Sequence, residues 1–365
     1  MSKKIISQVE YKGKGFSEPV PGTYQVLVDV NERGRDRRWG VKKSKNVKMY
    51  GIIERANDIY KSEGQGLFLL SDNTLYNINH CGDFLLFDHF EDGSKKLAAA
   101  SFCKHRLCPM CNWRKSIKLF GQTSEIVAHI QAFGTLDAKH KNCKSIRFIF
   151  VTFTIRNVTA EELPDALNKM NEAFKSLVQP AKKYKAAAKL QKNLLGYMKA
   201  IEITYNQETD TYHPHIHSIL EVASTFFKDG YLSMNDWRDL WKGAMKLDYT
   251  PQVDAKAIRN ADGKSNTPDP GAVAEIAKYP VKVDGLLQIQ DIDKAARAVI
   301  TLQTVCNHRR FVTFGGDFRK VARKLKLEDV ETGDLVHTET NQEIKVGAVY
   351  QTLWRYNARL GLYIN

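Results

Sequence analysis

Tyr197-Met-Lys-Ala-Ile-Glu202-Ile-Thr-Tyr205, Asn206-Gln-Glu-Thr-Asp-Thr211 and Tyr212-His-Pro-His215-Ile-His217-Ser-Ile-Leu220-Glu-Val222 are consecutive stretches whose reading decides the fold. The first and third alternate apolar and polar side chains and are rich in β-branched and aromatic residues, the pattern of half-buried strands. The polar stretch between them reads as a turn, so the two strands pair as an antiparallel hairpin. With Tyr205 opposite Tyr212, Glu202 falls opposite His215. A slip of one residue would turn Glu202 to the other face.

Side chains alternate along a strand, so His215 and His217 share a face while Ile216 anchors the opposite one in the core. Two imidazoles and a carboxylate can hold one divalent cation and leave positions open for a phosphate oxygen and water. That set suits Mg2+ or Mn2+ rather than a closed structural metal. The competing reading is a pair of ordinary core or surface histidines. Pro214, the apolar alternation and the paired Glu202 favour the metal. His213 is expected off the metal face or behind the ligands.

Working outward, Ile146–Ile155 is β-branched and aromatic throughout and reads as a strand. Residues 160–192 read as helix, 233–247 and Asp291–Val305 as further helices, and Arg310–Phe314 as a short strand. Residues 250–270 look like a polar loop ending at Asp269-Pro270, a good helix start. The helix beginning there carries Glu275 and Tyr279, four apart and so on one face, with Lys282 close to it. Pro280 disfavours helical geometry at Tyr279 and frees the carbonyl of Ile276, so this helix kinks or ends where the hydroxyl is presented.

Six cysteines stand in the chain, and Cys103, Cys108 and Cys111 crowd together after short strand-like runs at 67–70 and 84–87. Such crowding argues for metal rather than disulfides. A structural zinc site takes four ligands. Cys81 is the natural fourth, with His80 and His105 as rivals. Cys143 and Cys306 read as isolated buried thiols. The helical spacing from Trp113 to Phe133 follows, and Arg106, Arg114, Lys115 and Lys118 make this region basic enough to touch DNA backbone.

The chain has 365 residues, 43% hydrophobic, with a formal net charge of +14. That length suits two or three domains. The surplus of Lys and Arg suits a polyanionic partner, since both release counterions from phosphates. No run is long and apolar enough for a membrane span, and the start lacks the apolar core of a secretory signal, so a cytoplasmic protein is expected. Asn31–Lys48 is strongly basic with little apolar content and reads as a flexible, DNA-facing or merely solvated arm. The division expected is a basic region (1–65), a cysteine-rich zinc region (66–135), a catalytic domain (140–285) and an extension (286–365).

Four motifs in order carry a resemblance. His215-Ile-His217 resembles the metal motif of HUH endonucleases. Phe150-Val-Thr-Phe-Thr-Ile-Arg-Asn157 resembles the upstream strand motif of plasmid rolling-circle initiators, and Glu275-Ile-Ala-Lys-Tyr279-Pro-Val-Lys282 their tyrosine motif. Phe102–Arg114 resembles the cysteine segment of the Rep_1 initiators of small Gram-positive plasmids. The match spans about residues 75 to 320; the first 65 residues and the last 45 add nothing to it. The resemblance implies an α+β fold, an HUH core with a central antiparallel sheet flanked by helices behind an N-terminal zinc-binding region. It implies a bacterial enzyme that nicks single-stranded or hairpin origin DNA, with Tyr279 as nucleophile, and whose product host helicase and polymerase extend. Glu275 is implied to activate water for a terminating cleavage, in place of a second tyrosine. Lys282 is placed to neutralise the phenolate, and Lys278 either contacts phosphate or is plain surface. The rivals are an HUH relaxase or transposase, and a zinc-dependent nucleic-acid-binding regulator whose histidines are structural. The oligomeric state is not legible.

Overall fold

The computed structural model describes residues 4–5, 24–31, 34–63, 70–136, 145–180, 184–258, 283–338 and 347–365. Glu275, Lys278, Tyr279 and Lys282, the helix start at Asp269-Pro270, the run at 67–69 and Cys143 lie outside them. In chain order the elements are strand β1 (Lys4–Ile5), helices α1 (Trp39–Ser62) and α2 (Asp72–Asn79), strands β2 (Phe84–His89) and β3 (Lys95–Ala100), and helix α3 (Pro109–Phe133). Strand β4 (Ile146–Thr154), helices α4 (Leu163–Val178) and α5 (Ala188–Asn193), strands β5 (Leu194–Asn206) and β6 (Thr211–Ala223), helices α6 (Phe226–Asp229) and α7 (Met234–Met245) and strand β7 (Val253–Ala257) follow. Helix α8 (Ile292–Cys306), strand β8 (Val312–Gly315), helix α9 (Gly316–Lys324) and strands β9 (Tyr350–Asn357) and β10 (Leu362–Ile364) complete the described chain.

The chain divides into two compact units. One combines residues 1–115, 290–299 and 334–365; the other combines 116–289 and 300–333. Both therefore interleave segments distant in sequence, where the sequence reading set four regions end to end. The physical reason is strand pairing. In the first unit β2 lies between β3 and β9, with β10 and β1 also pairing β9, so the C-terminal strands complete a sheet begun before the cysteine segment.

The second unit is built on a sheet ordered β7-β4-β6-β5-β8, antiparallel throughout. β6 is its middle strand. The hairpin register is Tyr205 opposite Tyr212 and Glu202 opposite His215. A proline is rare inside a sheet because it gives no N–H to the ladder. Tyr212 exchanges both its backbone bonds with Val158, on the side of β4. Pro214, two residues on, turns its nitrogen the same way, where β4 has ended at Thr154 opposite His215.

One face of this sheet packs on α4 and α7. Leu163, Leu167, Met170, Phe174 and Leu177 recur at helical spacing and are buried. Phe153 meets Phe174 at 6.1 Å and Trp241 at 4.7 Å between ring centroids, and Trp241 Nε1 donates to Thr154 O at 2.8 Å. Each large side chain so buried contributes about 1.5–3 kcal/mol. α7 begins with a reciprocal capping box between Ser233 and Asp236. The other face carries Phe148, Phe150, Met198, Ala200 and Ile219, packed with Leu119, Ile126 and Ile130 of α3 and Phe318 and Val321 of α9.

Three sequence expectations are corrected here. The basic stretch read as an arm contains the start of α1, which buries Trp39, Lys43, Asn46 and Met49. Lys43 Nζ donates to Asn79 O at 2.7 Å and pairs with Asp83 at 2.7 Å, so its charge is compensated inside the unit. The loop expected at 250–270 contains β7, an edge strand on β4. The helix expected across 160–192 is α4 and α5, separate helices.

Candidate active site and cysteine centre

His213, His215 and His217 occupy alternate positions of β6 and face the same way. His213 thus shares the face of His215 and His217, which rules out a place on the opposite face and leaves one behind the other two, with its ring centroid 4.2 Å from that of His215. The strand period of two leaves no other placement. His217 Nε2 lies 2.7 Å from Glu202 Oε2, and its Nδ1 lies 3.1 Å from Thr152 Oγ1. Phe150 stacks beside it at 6.0 Å. Glu202 is 2% exposed and His217 6%, so this carboxylate–imidazole pair is desolvated and each group needs the other.

The donor set fits a divalent cation in kind: imidazoles and a carboxylate, brought to one face by a register that also pairs Thr154 with His215. In the structure Glu202 engages His217 directly. Among the described residues, the group of three or more His, Cys, Asp or Glu with ligand atoms all within 4.8 Å is the cysteine set instead.

Two tyrosines flank the turn of the hairpin, Tyr205 and Tyr212. Burial, then its hydrogen bond to Asp210, pushes the Tyr205 phenol up, and burial pushes Tyr212 up to about 12. Both are harder to ionise than an ordinary phenol.

In the other unit the structure brings Cys81, Cys103, Cys108 and Cys111 together. Sγ–Sγ separations are 3.5 Å for Cys81–Cys111, 3.5 Å for Cys81–Cys108 and 3.7 Å for Cys103–Cys111. A tetrahedron with Zn–S bonds of about 2.3 Å has edges of about 3.8 Å, so four thiolates fit zinc with little adjustment. Local structure explains the gathering. Cys81 follows α2 and precedes Gly82, whose φ of 72° reverses the chain there. Cys108 directly precedes Pro109 at the start of α3, and Cys111 lies in its first turn, where the helix dipole favours thiolates. Backbone N–H groups of Lys104 and Cys103 donate to Cys111 and Cys81 at 3.2 Å and 3.4 Å, and Asn46 Nδ2 donates to Cys108 at 3.3 Å. The thiols are tightly coupled: burial pushes Cys108 up, but hydrogen bonds from Cys103, Cys111 and Cys81 outweigh it and hold it well below the usual range, while the hydrogen bond with Cys103 pushes Cys81 up and burial pushes Cys111 up. The rivals for the fourth place are otherwise engaged: His80 Nδ1 meets Asp83 at 2.5 Å, and His105 Nδ1 accepts from Leu107 N at 3.3 Å.

Arg114 and Lys115 are corrections. Arg114 is 3% exposed; its Nε and Nη2 donate to Leu335 O and Val336 O at 2.9 Å and 2.8 Å, and its guanidinium lies over Trp39, Trp113 and Phe102. Lys115 is 1% exposed and donates to Lys104 O at 2.9 Å. Both cations are spent on carbonyls of their own unit. Lys118, also buried, pairs with Glu328 at 2.7 Å. Arg106 is half-buried. Cys306 is buried, as expected.

A family model described as "Replication protein", Rep_1, matches residues 94–363. The chain belongs to the Rep_1 family of replication proteins. The match reaches into the last 45 residues, where no sequence motif carries the resemblance. A "Protein rep" of Streptococcus pneumoniae serotype 2 (strain D39 / NCTC 7466) is 36% identical over 334 residues, covering 90% of this chain and 93% of its own. A "Protein rep" of Lentilactobacillus hilgardii is 33% identical over 91% of this chain and 97% of its own, and a "Replication protein" of Staphylococcus aureus is 35% identical over 56% and 84%. No solved structure matches the chain. Membership supports a role as a plasmid replication initiator. Among the described residues no helix is long and apolar enough to cross a membrane.

Proposed function

We propose that the chain initiates rolling-circle replication by nicking one strand of plasmid origin DNA and joining itself to the 5′ end through Tyr279. The observation that carries this reading is the hairpin register, which sets Glu202 opposite His215 and beside His217 on one face. His215, His217 and Glu202 would hold Mg2+ or Mn2+. Bound there, a divalent cation polarises the scissile phosphate and offsets its developing charge. The Tyr279 oxygen attacks phosphorus, the bond to the 3′ oxygen breaks, and that oxygen leaves as the free 3′ hydroxyl after gaining a proton. A free phenol titrates near about 10, so the cation of Lys282 would favour the attacking phenolate. Lys278 and Arg106 would contact phosphate. The phosphotyrosine conserves bond energy for rejoining; Glu275 would instead direct water to a terminating cleavage and release the strand. The cysteine set would hold zinc as a structural centre. Host helicase and polymerase would extend the freed end.

The test incubates the full chain with a single-stranded origin oligonucleotide and Mn2+, then runs a denaturing gel beside Tyr279→Phe. A slow-migrating adduct that needs the metal and is lost in the variant supports the reading. Binding without adduct would leave a nucleic-acid-binding regulator. An adduct that persists in Tyr279→Phe would move the nucleophile to another residue.

A further inference from the structure

Helix α9 packs Phe318 and Val321 onto the sheet face that carries the histidines, and its outer side is basic. Arg319, Lys320, Arg323 and Lys324 recur at i, i+1, i+4 and i+5, all exposed, and Lys326 follows just beyond the helix. Lys320 pairs with Asp317 at 3.0 Å; among the described residues, Arg319, Arg323, Lys324 and Lys326 make no ion pair.

The end of α3 lies against this stripe. Phe133 is 72% exposed, an unusual setting for a ring in a folded unit. Lys324 Nζ sits 5.6 Å from its centroid, and the His129 ring packs against it at 4.6 Å. Lys320 Nζ also donates to Leu136 O at 3.2 Å, which draws the stripe to the chain just after the ring. The result is an exposed ring with the Lys324 ammonium over it, 3.4 Å from His129 Nε2, and further cations beside it.

We infer that Phe133 and the α9 stripe form a contact site for single-stranded DNA, with Phe133 stacking on one base and Arg319, Arg323 and Lys324 taking neighbouring phosphates. Cations alone would suit duplex or single strand equally. An exposed ring offers its face to an unpaired base, which a duplex withholds, and so selects the single strand. The inference rests on the nicking reading and extends it to a strand path. α9 starts at Gly316, bridged to Gly196 of β5, and Glu202 lies six residues further along that strand. At about 3.3 Å per residue the start of α9 lies about 20 Å from Glu202, and the stripe begins one helical turn further on, a span an extended strand of a few nucleotides covers.

The experiment measures fluorescence anisotropy of a labelled single-stranded origin oligonucleotide with the full chain across a salt series, and adduct formation in parallel. Phe133→Ala should weaken binding roughly 5- to 150-fold, the range for one lost stacking contact, and Phe133→Trp should restore it. Arg319→Gln with Arg323→Gln should lower the slope of log affinity against log salt by about 1.4, about 0.7 per phosphate contact. Unchanged affinity in Phe133→Ala together with an unchanged slope in the double arginine variant overturns the inference, as does an equal loss for duplex and single strand, or no single-strand binding by the unsubstituted chain. Single-strand binding that responds to these variants while no adduct forms would instead overturn the nicking reading and keep the contact site.

Discussion

Glu202→Gln separates a cation site from a packed histidine pair. The carboxylate is 2% exposed, with Oε2 at 2.7 Å from His217 Nε2. Gln keeps the shape and a carbonyl that accepts from the same imidazole, so the variant by itself should lose only about 1 kcal/mol. It has no formal charge to offer a hard dication. Outer partners of metal ligands are already worth about 10- to 100-fold in affinity, and loss of a direct anionic ligand should reach the upper figure. At 100 times its dissociation constant a cation stabilises the folded state by about 2.7 kcal/mol; after a 100-fold loss this falls to RT ln 2, about 0.4 kcal/mol. The difference of about 2.3 kcal/mol corresponds to about 5–9 °C in Tm for a unit of about 200 residues. Calorimetric scans with and without Mn2+, at constant zinc, read this directly. Mn2+ prefers oxygen and imidazole donors to thiolates, so the cysteine centre contributes little to the shift. If Glu202→Gln gains as much Tm from Mn2+ as the unsubstituted chain, Glu202 does not hold the cation and the site reasoning fails.

Arg114→Ala should destabilise its unit by about 3 kcal/mol or more, because the carbonyls of Leu335 and Val336 lose a buried charged donor and the rings around the guanidinium lose their filler; urea unfolding measures it, and a loss of DNA affinity with stability intact would restore a phosphate-contact role. Cys111→Ser should abolish stoichiometric zinc, read by elemental analysis of protein purified without chelator, whereas full zinc content would mean another ligand completes the centre. Burial, then the nearby Lys175, holds the Lys199 ammonium down to about 8 from its ordinary 10.5. In that window the unfolded chain binds more protons than the folded one, so stability should rise with pH, up to a ceiling of about 3 kcal/mol. Lys199→Met should flatten this rise, and an unchanged slope in the variant would assign it to other groups. Glu275→Gln should leave the first cleavage intact and trap the covalent adduct; rapid release of the strand from that variant would remove Glu275 from the terminating step.

The histidine-bearing hairpin is legible because its information is local. Alternation fixes faces, a polar turn fixes register, and one register places Glu202 opposite His215. The fourth cysteine was legible for the same reason, standing next to a glycine that can reverse the chain. What escaped the sequence was burial of charge. Lys43, Arg114 and Lys115 look like surface residues, yet each finds backbone carbonyls or a carboxylate inside the fold, Lys43 and Arg114 through contacts far away in the chain and Lys115 at Lys104 just before its own helix. β7 escaped because edge strands carry charges, here Asp254 and Lys256, that break the apolar alternation. The role of β9 and β10 escaped because a strand's partners, not its own residues, decide its sheet, and β9 pairs with β2 across most of the chain length.

The central claim is a covalent bond between one tyrosine and the 5′ end of the nicked strand. The direct measurement is mass spectrometry of the adduct after nuclease trimming and tryptic digestion. The residual nucleotide should sit on the peptide containing Tyr279. A nucleotide on any other residue, or a nicked strand with a free 5′ phosphate and unmodified protein, would contradict it.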